Sequence, residues 1–279
     1  MSNPTPGTLF LVATPIGNLS DISERAIKTL QDVVFIAAED TRVTRHLLEH
    51  LNIKKPVVSY YRHNSRSSGE KILSRILGGE NCALVTDAGT PGISDPGEDL
   101  VCLCAEENIP MVMIPGPCAA VSALALSGLS SARFSFEGFL STDKKKRTSQ
   151  LKELKNETRT MVFYEAPHKL MRTLNDMLEI LGNRRISISR EMTKMYEETL
   201  RLTISSAVSH FENKTPRGEF VLVVEGVEKC KDLEISLDEA VKIATTLISD
   251  GDTVKDAVKK AADMTGCSKN LLYNTVIST

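Results

Sequence analysis

Three loops in this 279-residue chain combine the residue types that grip a small ligand. Thr14-Pro15-Ile16-Gly17-Asn18 follows the apolar run Leu9 to Ala13, and Pro115-Gly116-Pro117-Cys118 follows Met111 to Ile114. The longest, Asp87-Ala88-Gly89-Thr90-Pro91-Gly92-Ile93-Ser94-Asp95-Pro96-Gly97, follows Cys82 to Thr86. Glycine lets a backbone approach a ligand closely, proline presets a turn, and short polar side chains supply hydrogen bonds. Loops that leave parallel strands at their carboxyl ends share one sheet edge, which is where open α/β sheets bind ligands. Neither G-x-x-x-x-G-K-[ST] nor G-x-G-x-x-G occurs, so the chain lacks the P-loop phosphate cradle and the dinucleotide fingerprint. A ligand here is expected to be held by backbone groups in an apolar pocket.

Other residues extend this edge. Glu39-Asp40-Thr41-Arg42 is a further strand-to-helix junction, where carboxylates cap the helix and a guanidinium can turn into the cleft. Tyr61-Arg62-His63-Asn64 places an aromatic ring, two potential cations and an amide together, a set suited to stacking on a nucleotide. The concentrated basic segment is Asp143-Lys144-Lys145-Lys146-Arg147, in a chain of net charge -2. That balance excludes a uniformly basic nucleic-acid coat, so RNA contact is expected locally, at Lys144, Lys145, Lys146 and Arg147. His46-Leu47-Leu48-Glu49-His50 has the spacing of an inverted zinc-peptidase motif. Val43, Leu47 and Leu51 read as the apolar stripe of that helix with the histidines flanking it, and no metal is expected. The six cysteines offer no C-x-x-C pair and read as buried free thiols.

The elements that must position these residues alternate. Strands are expected at Leu9 to Ala13, Val33 to Ala38, Val57 to Tyr60, Cys82 to Thr86 and Met111 to Ile114. Helices between them, near Ile22 to Leu30, Val43 to Leu51, Glu70 to Leu77 and Asp99 to Glu106, imply a parallel sheet covered on both faces. Asp21 with Glu24 reads as a capping box for the first helix. A small-residue helix, Ala119 to Leu126, opens a second α/β region with an apolar run at Phe134 to Leu140, strands at Met161 to Tyr164, Ile186 to Arg190, Thr199 to Ile204 and Phe220 to Glu225, and a helix at Lys169 to Leu181. Short connections late in this stretch predict a mixed, partly antiparallel sheet. After a polar linker, Leu237 to Ile248, Val254 to Ala262 and Lys269 to Ile277 read as three helices, the last two in helix-turn-helix form. The expected domains are 1–116, 117–228 and 236–279. No apolar run approaches the roughly 18 to 20 residues of a membrane span. Met1 to Thr8 lacks the order of a secretory signal, so a cytoplasmic location is expected.

Several of these segments, taken in order, resemble one family. Leu11-Val12-Ala13-Thr14-Pro15-Ile16-Gly17-Asn18-Leu19, Ala38-Glu39-Asp40-Thr41-Arg42, the Asp87 to Gly97 loop, Tyr164-Glu165-Ala166-Pro167-His168 and Pro216-Arg217-Gly218-Glu219 are similar to the tetrapyrrole methylases, in the branch that methylates ribosomal RNA of the small subunit. The resemblance implies two α/β domains with a cleft for S-adenosyl-L-methionine between them, a small helical domain at the carboxyl end, and a homodimer. It also implies 2'-O-methylation of a cytidine, position 1402, in 16S rRNA. Carried onto this chain, the cofactor site comprises Pro15, Asp87, Ala88, Gly89, Thr90, Pro91, Ile93, Cys118 and Ala119, with Tyr164, Ala166, Arg217, Gly218 and Glu219 closing over the adenosine. Cobalamin-pathway relatives have Gly-Asp-Pro where this chain has Gly89-Thr90-Pro91. Ribose attack needs alignment and a proton acceptor, for which Glu39 and Glu165 are candidates, with Arg42 and His63 positioning the nucleotide. Two alternatives stay open: a tetrapyrrole or protein side-chain methylase of the same fold, and a ligand-sensing regulator that binds nucleic acid.

Overall fold

The computed structural model describes residues 5–61, 65–227, 237–265 and 267–278. These fall into two compact units that divide between Gly226 and Val227. Arg62, His63 and Asn64 lie outside the described residues, as do Cys230 and Gly266.

Five short apolar strands form the first sheet: β1 (Leu9–Val12), β2 (Phe35–Ala38), β3 (Val57–Ser59), β4 (Cys82–Val85) and β5 (Met111–Ile114). Helices α1 (Glu24–Asp32), α2 (Thr41–His50), α3 (Ser65–Leu77) and α4 (Glu98–Glu106) connect them. The spatial order is β3-β2-β4-β1-β5, with every pairing parallel. Strands β2 and β4 are buried along their whole length, which is why they read as unbroken apolar runs rather than alternating ones. Leu9, Phe35, Leu84 and Leu100 pack on one face, and Val12, Leu30, Ile36 and Val85 on the other.

The starts of these helices correct two expectations. Ser23, not Asp21, caps α1, its side chain accepting from the Ala26 N–H; Asp21 closes a preceding 3-10 turn capped by Asn18. In α2 the buried residues are Thr44, Leu47 and Leu48, while Val43 is exposed. His46, Glu49 and His50 all face solvent. Of the cysteines, Cys82 and Cys104 are buried, but Cys102 is exposed.

The second sheet comprises β6 (Phe134–Phe139), β7 (Thr160–Glu165), β8 (Arg185–Arg190), β9 (Glu198–Thr203) and β10 (Phe220–Val224). Its order is β6-β7-β10-β8-β9; β6 and β7 pair parallel, and the other pairs are antiparallel. Residues alternate between two faces. Met161, Phe163, Ile188 and Leu222 meet α6 (Lys144–Glu153), α7 (Leu170–Leu181) and α8 (Ile204–Glu212). Val162, Val221 and Val223 meet Ala120, Ala123 and Leu124 of α5 (Ala119–Leu126), whose small side chains let the helix lie close to the sheet. Helix α8 occupies a stretch that the sequence left unassigned. Its Ile204, Ala207 and Phe211 are spaced by three and four residues and are buried.

Beyond residue 236, α9 (Leu237–Ser249), α10 (Val254–Thr265) and α11 (Lys269–Ser278) form their own core of Ala240, Ala244, Val258, Ala261, Ala262 and Leu272. Among the described residues no helix is long and apolar enough to cross a membrane.

Candidate active site

The three loops converge because β1, β4 and β5 are neighbours with a common carboxyl edge. An isolated antiparallel bridge ties the first loop to the longest: Thr14 N–H donates to the Gly89 carbonyl at 2.9 Å, and Gly89 N–H to the Thr14 carbonyl at 3.1 Å. Gly89 holds φ +83° there, a left-handed conformation that glycine adopts without penalty. The Thr90 hydroxyl donates to the Pro117 carbonyl at 3.2 Å and so fastens the long loop to the third. In this chain, then, the threonine at the departure from Gly-Asp-Pro ties two loops together. Gly97 is required by space as well, since a Cβ there would lie 2.9 Å from the Gly92 nitrogen.

These loops form one wall of a cavity of about 430 Å³, and the second sheet forms the other. The first wall presents Ile16, Ala88, Gly89, Thr90, Ile93, Cys118 and Ala119; the second presents Tyr164 to His168 from the end of β7 and Glu219 to Val221 from the start of β10. Antiparallel pairing of Glu165 with Phe220 brings those two segments together. Tyr164 joins the walls: its hydroxyl accepts the Ala120 N–H at 3.2 Å, and its ring packs 5.1 Å from that of Phe136 and 5.5 Å from that of Phe139. Burial pushes the Tyr164 pKa up to about 12, so the phenol stays protonated and polar without charge.

Glu165 also lines the cavity, yet its side chain is committed to structure. One carboxylate oxygen accepts the Ala166 N–H at 2.8 Å and the other the Thr173 hydroxyl at 2.5 Å, which anchors the end of β7 to α7. Of the other cofactor candidates, Ala166 and Glu219 line the cavity, whereas Pro15, Asp87, Pro91, Arg217 and Gly218 do not. Gly218, at φ +85°, has no room for a side chain: a Cβ would lie 2.3 Å from Cγ of Glu191.

Glu39, Asp40, Arg42 and Asp87 gather on the same sheet edge, outside the cavity lining. Asp87 accepts the Asp40 N–H at 3.0 Å, and burial raises its carboxyl above the usual range. The Arg42 guanidinium donates twice to Asp40, at 3.1 and 2.6 Å, and its hydrogen bond lowers the Asp40 pKa to about 2. The favourable pairing is therefore present above the ordinary carboxyl pKa of about 4 and is lost as pH falls through about 2. A carboxyl-carbon NMR titration should give an Asp40 midpoint near 2 that returns toward about 4 in Arg42→Ala. A midpoint near 4 in both proteins would contradict the pairing.

Among the contributors that the sequence missed, with Phe139 of β6 and Phe220 and Val221 of β10, is the segment after β8. Met192 and Lys194 line the cavity, and Lys194 Nζ reaches Glu191 at 3.0 Å and Glu219 at 2.8 Å. Burial opposes the charge on Lys194, but the two carboxylates outweigh it and keep its pKa above the usual value. Its signal was positional: Arg190 pairs with Phe220, so the residues after it emerge beside the cavity-lining start of β10.

The basic segment divides. Lys144, Lys145 and Lys146 are exposed on the first turn of α6. Arg147 is corrected: its side chain is 5% exposed, with Nε 2.6 Å from Asp176 and Nη1 donating to the carbonyls of Ser141 and Thr142. A buried guanidinium with Nε and Nη1 already engaged is poorly placed to meet an RNA phosphate.

The family model for tetrapyrrole (corrin/porphyrin) methylases matches residues 8–208. A protein from Synechocystis named ribosomal RNA small subunit methyltransferase I is 45% identical, over 96% of this chain and 96% of its own length. The protein of that name from Halalkalibacterium halodurans is 47% identical, over 96% and 94%. One from Thermotoga maritima is 49% identical over 222 residues, which span 80% of this chain and all of the relative, about the size of the two-sheet unit. Among solved structures, a diphthine synthase superposes with a TM-score of 0.59 at 12% identity, covering 78% of this chain and 90% of that one. A cobalt precorrin-4 methyltransferase gives 0.57 at 15% identity, covering 77% and 94%. With the two-sheet architecture, the converging loops and these likenesses in agreement, the chain belongs to the tetrapyrrole methylase family.

Proposed function

We propose that the cavity holds S-adenosyl-L-methionine and that the chain transfers its methyl group to the ribose 2'-hydroxyl of a cytidine in small-subunit ribosomal RNA, position 1402. The observation that carries this reading is the composition of the cavity. One wall is main chain made accessible by Gly89, Ala88 and Ala119, and the other bears the Tyr164 and Phe139 rings. Its volume of about 430 Å³ lies within the range of small-molecule sites. When bound, the cofactor supplies a methyl group made electrophilic by a positively charged sulfur.

The chain's own residues align, shield and deliver. Ala88 and Ala119 offer backbone groups to a polar ligand and Gly89, without a side chain, leaves it room, while Ile16, Ile93 and the rings exclude water. Glu165, with both oxygens engaged, keeps the Tyr164–His168 segment in place. Glu39 and Arg42 are assigned to orienting the target nucleotide and its hydroxyl, together with His63. Relatives named for small-subunit ribosomal RNA favour RNA over a tetrapyrrole or a protein side chain as the acceptor. The protein is read as a cytoplasmic homodimer, and the carboxyl-terminal helices as an accessory to the two-sheet unit, which alone matches the length of the Thermotoga maritima relative.

The exposed lysines give RNA a path to the site. Strand β6 ends at Phe139 on the cavity wall, and Lys144 follows five residues later. Changing Lys144, Lys145 and Lys146 together to Ala should lower the slope of log binding constant against log salt by about 2, with the melting temperature unchanged. An unaltered slope would remove this patch from the interface. The activity itself is tested by offering methyl-labelled cofactor with undermethylated small subunits, a uroporphyrin and bulk protein side by side. Label is expected in the RNA, and label confined to porphyrin or protein would overturn the assignment.

A further inference from the structure

The connection between β8 and β9 carries the most exposed large apolar side chains among the described residues of the two-sheet unit, Met195 at 89% and Tyr196 at 69%. Two successive turns project them. Lys194 N–H donates to the Glu191 carbonyl at 3.0 Å and Glu197 N–H to the Lys194 carbonyl at 3.2 Å, so Met195 and Tyr196 are the central pair of the second turn. The Glu197 carboxylate reaches back to accept the Thr193 N–H at 2.9 Å.

This connection is strained and fixed on its inner side. Glu191 and Thr193 hold φ of +48° and +65°, values that non-glycine residues seldom adopt and a β-branched residue least of all. Met192 and Lys194 face the cavity, and Lys194 packs on Gly17, where a Cβ would come within 2.5 Å of the lysine Cγ. Tyr196 is two residues on, within about 7 Å of chain from Lys194. A ring this exposed adds little to folding, and here it is carried by a connection whose Met192 and Lys194 line the cavity, on a support that sequence preference alone would not choose.

We propose that Tyr196 stacks on a nucleobase next to the target nucleotide, with Met195 packing beside it, so that this turn sets how the RNA strand enters the cavity. The inference rests on the RNA reading above. Stacking on a tyrosine face requires no particular base and is the usual way that single-stranded RNA is held open for chemistry.

Tyr196→Ala should raise KM for undermethylated small subunits about 10-fold to 100-fold, with a change in kcat of about threefold at most. Cofactor affinity by calorimetry and the melting temperature should match the parent. Tyr196→Phe, which keeps the ring and loses the hydroxyl, should restore KM to within about twofold of the parent value. An unchanged KM in Tyr196→Ala overturns the stacking role while leaving the RNA reading intact. A raised KM accompanied by a change in sedimenting mass also overturns it, because the turn would then join two copies of the chain. Failure of the parent protein to methylate small-subunit RNA at all overturns the RNA reading, and this inference with it.

Discussion

Replacing Gly89 by valine is expected to weaken binding of S-adenosyl-L-methionine by about 100-fold or more while the two-sheet unit stays folded. The residue holds φ +83° and is pinned by both hydrogen bonds of its bridge to Thr14. An L-residue in that conformation is strained by about 1–2 kcal/mol, and a β-branched one by more. Relaxation would require breaking the bridge, and with it the register between the first loop and the longest. A Cβ at this position is already 3.5 Å from Cγ2 of Ile16 and 3.8 Å from the Pro117 carbonyl, so the valine methyls crowd the cavity wall. A hundredfold loss corresponds to about 2.8 kcal/mol, in keeping with strain plus misplaced backbone. Gly89→Ala, whose Cβ meets only ordinary contacts, should lose about tenfold. Calorimetry on the three proteins checks the series, and equal affinities would show that the cofactor does not depend on this loop.

The second large effect falls on stability. Arg147→Ala should destabilise the two-sheet unit by about 3–5 kcal/mol, because it leaves the Asp176 carboxylate, only 14% exposed, without its partner. It also frees the Ser141 and Thr142 carbonyls, which fix the turn leading into α6. In a unit of this size the loss should lower the melting temperature by about 10 °C. Asp176→Ala should do comparable damage by stranding the guanidinium instead. The neighbouring Lys144, Lys145 and Lys146 are exposed, and their removal should leave the melt unchanged. Equal melting of Arg147→Ala and the parent would show that the pair contributes nothing and would return Arg147 to the candidate RNA surface.

Those two residues mark where sequence reading works and where it stops. Gly89 was legible because a cluster of glycine and proline after a buried strand has few other uses, and the strands themselves were legible because parallel strands covered on both faces read as apolar runs. Side chains from α6 and the second sheet were harder. Arg147 belongs to a run of cations by sequence, but helix geometry turns it away from Lys144 to Lys146 and onto Asp176, a partner 29 residues away. No local pattern announces such a pairing. Helix α8 was overlooked for a different reason: its buried triad, Ile204, Ala207 and Phe211, is diluted by serines and a histidine that suggest a loop. The cap of α1 was misplaced by two residues, since Asp21 and Ser23 are both competent and only the preceding 3-10 turn decides between them.

The site shows the same division. Ala88, Thr90, Ile93, Cys118 and Ala119 reach the cavity because the first sheet's edge is set by parallel order alone. Met192 and Lys194 depend on the antiparallel register of β8 with β10, and that register is the one that sets Ile186 and Ile188 beside Val224 and Leu222 in the core under α6 to α8. The carboxylate of Glu165 is a further lesson. A glutamate between an aromatic and an alanine at a strand end has the look of a base, but the Thr173 hydroxyl and the Ala166 N–H occupy both of its oxygens.

The proposed reaction is delivery of a methyl group from this cavity to one ribose hydroxyl of small-subunit RNA. Its most direct test is to methylate undermodified small subunits with tritiated cofactor, digest the RNA to nucleosides and identify the labelled product. A single labelled nucleoside, 2'-O-methylcytidine, is expected from the parent protein and should be lost in Gly89→Val. Label on a base, or on a nucleoside other than cytidine, would contradict it.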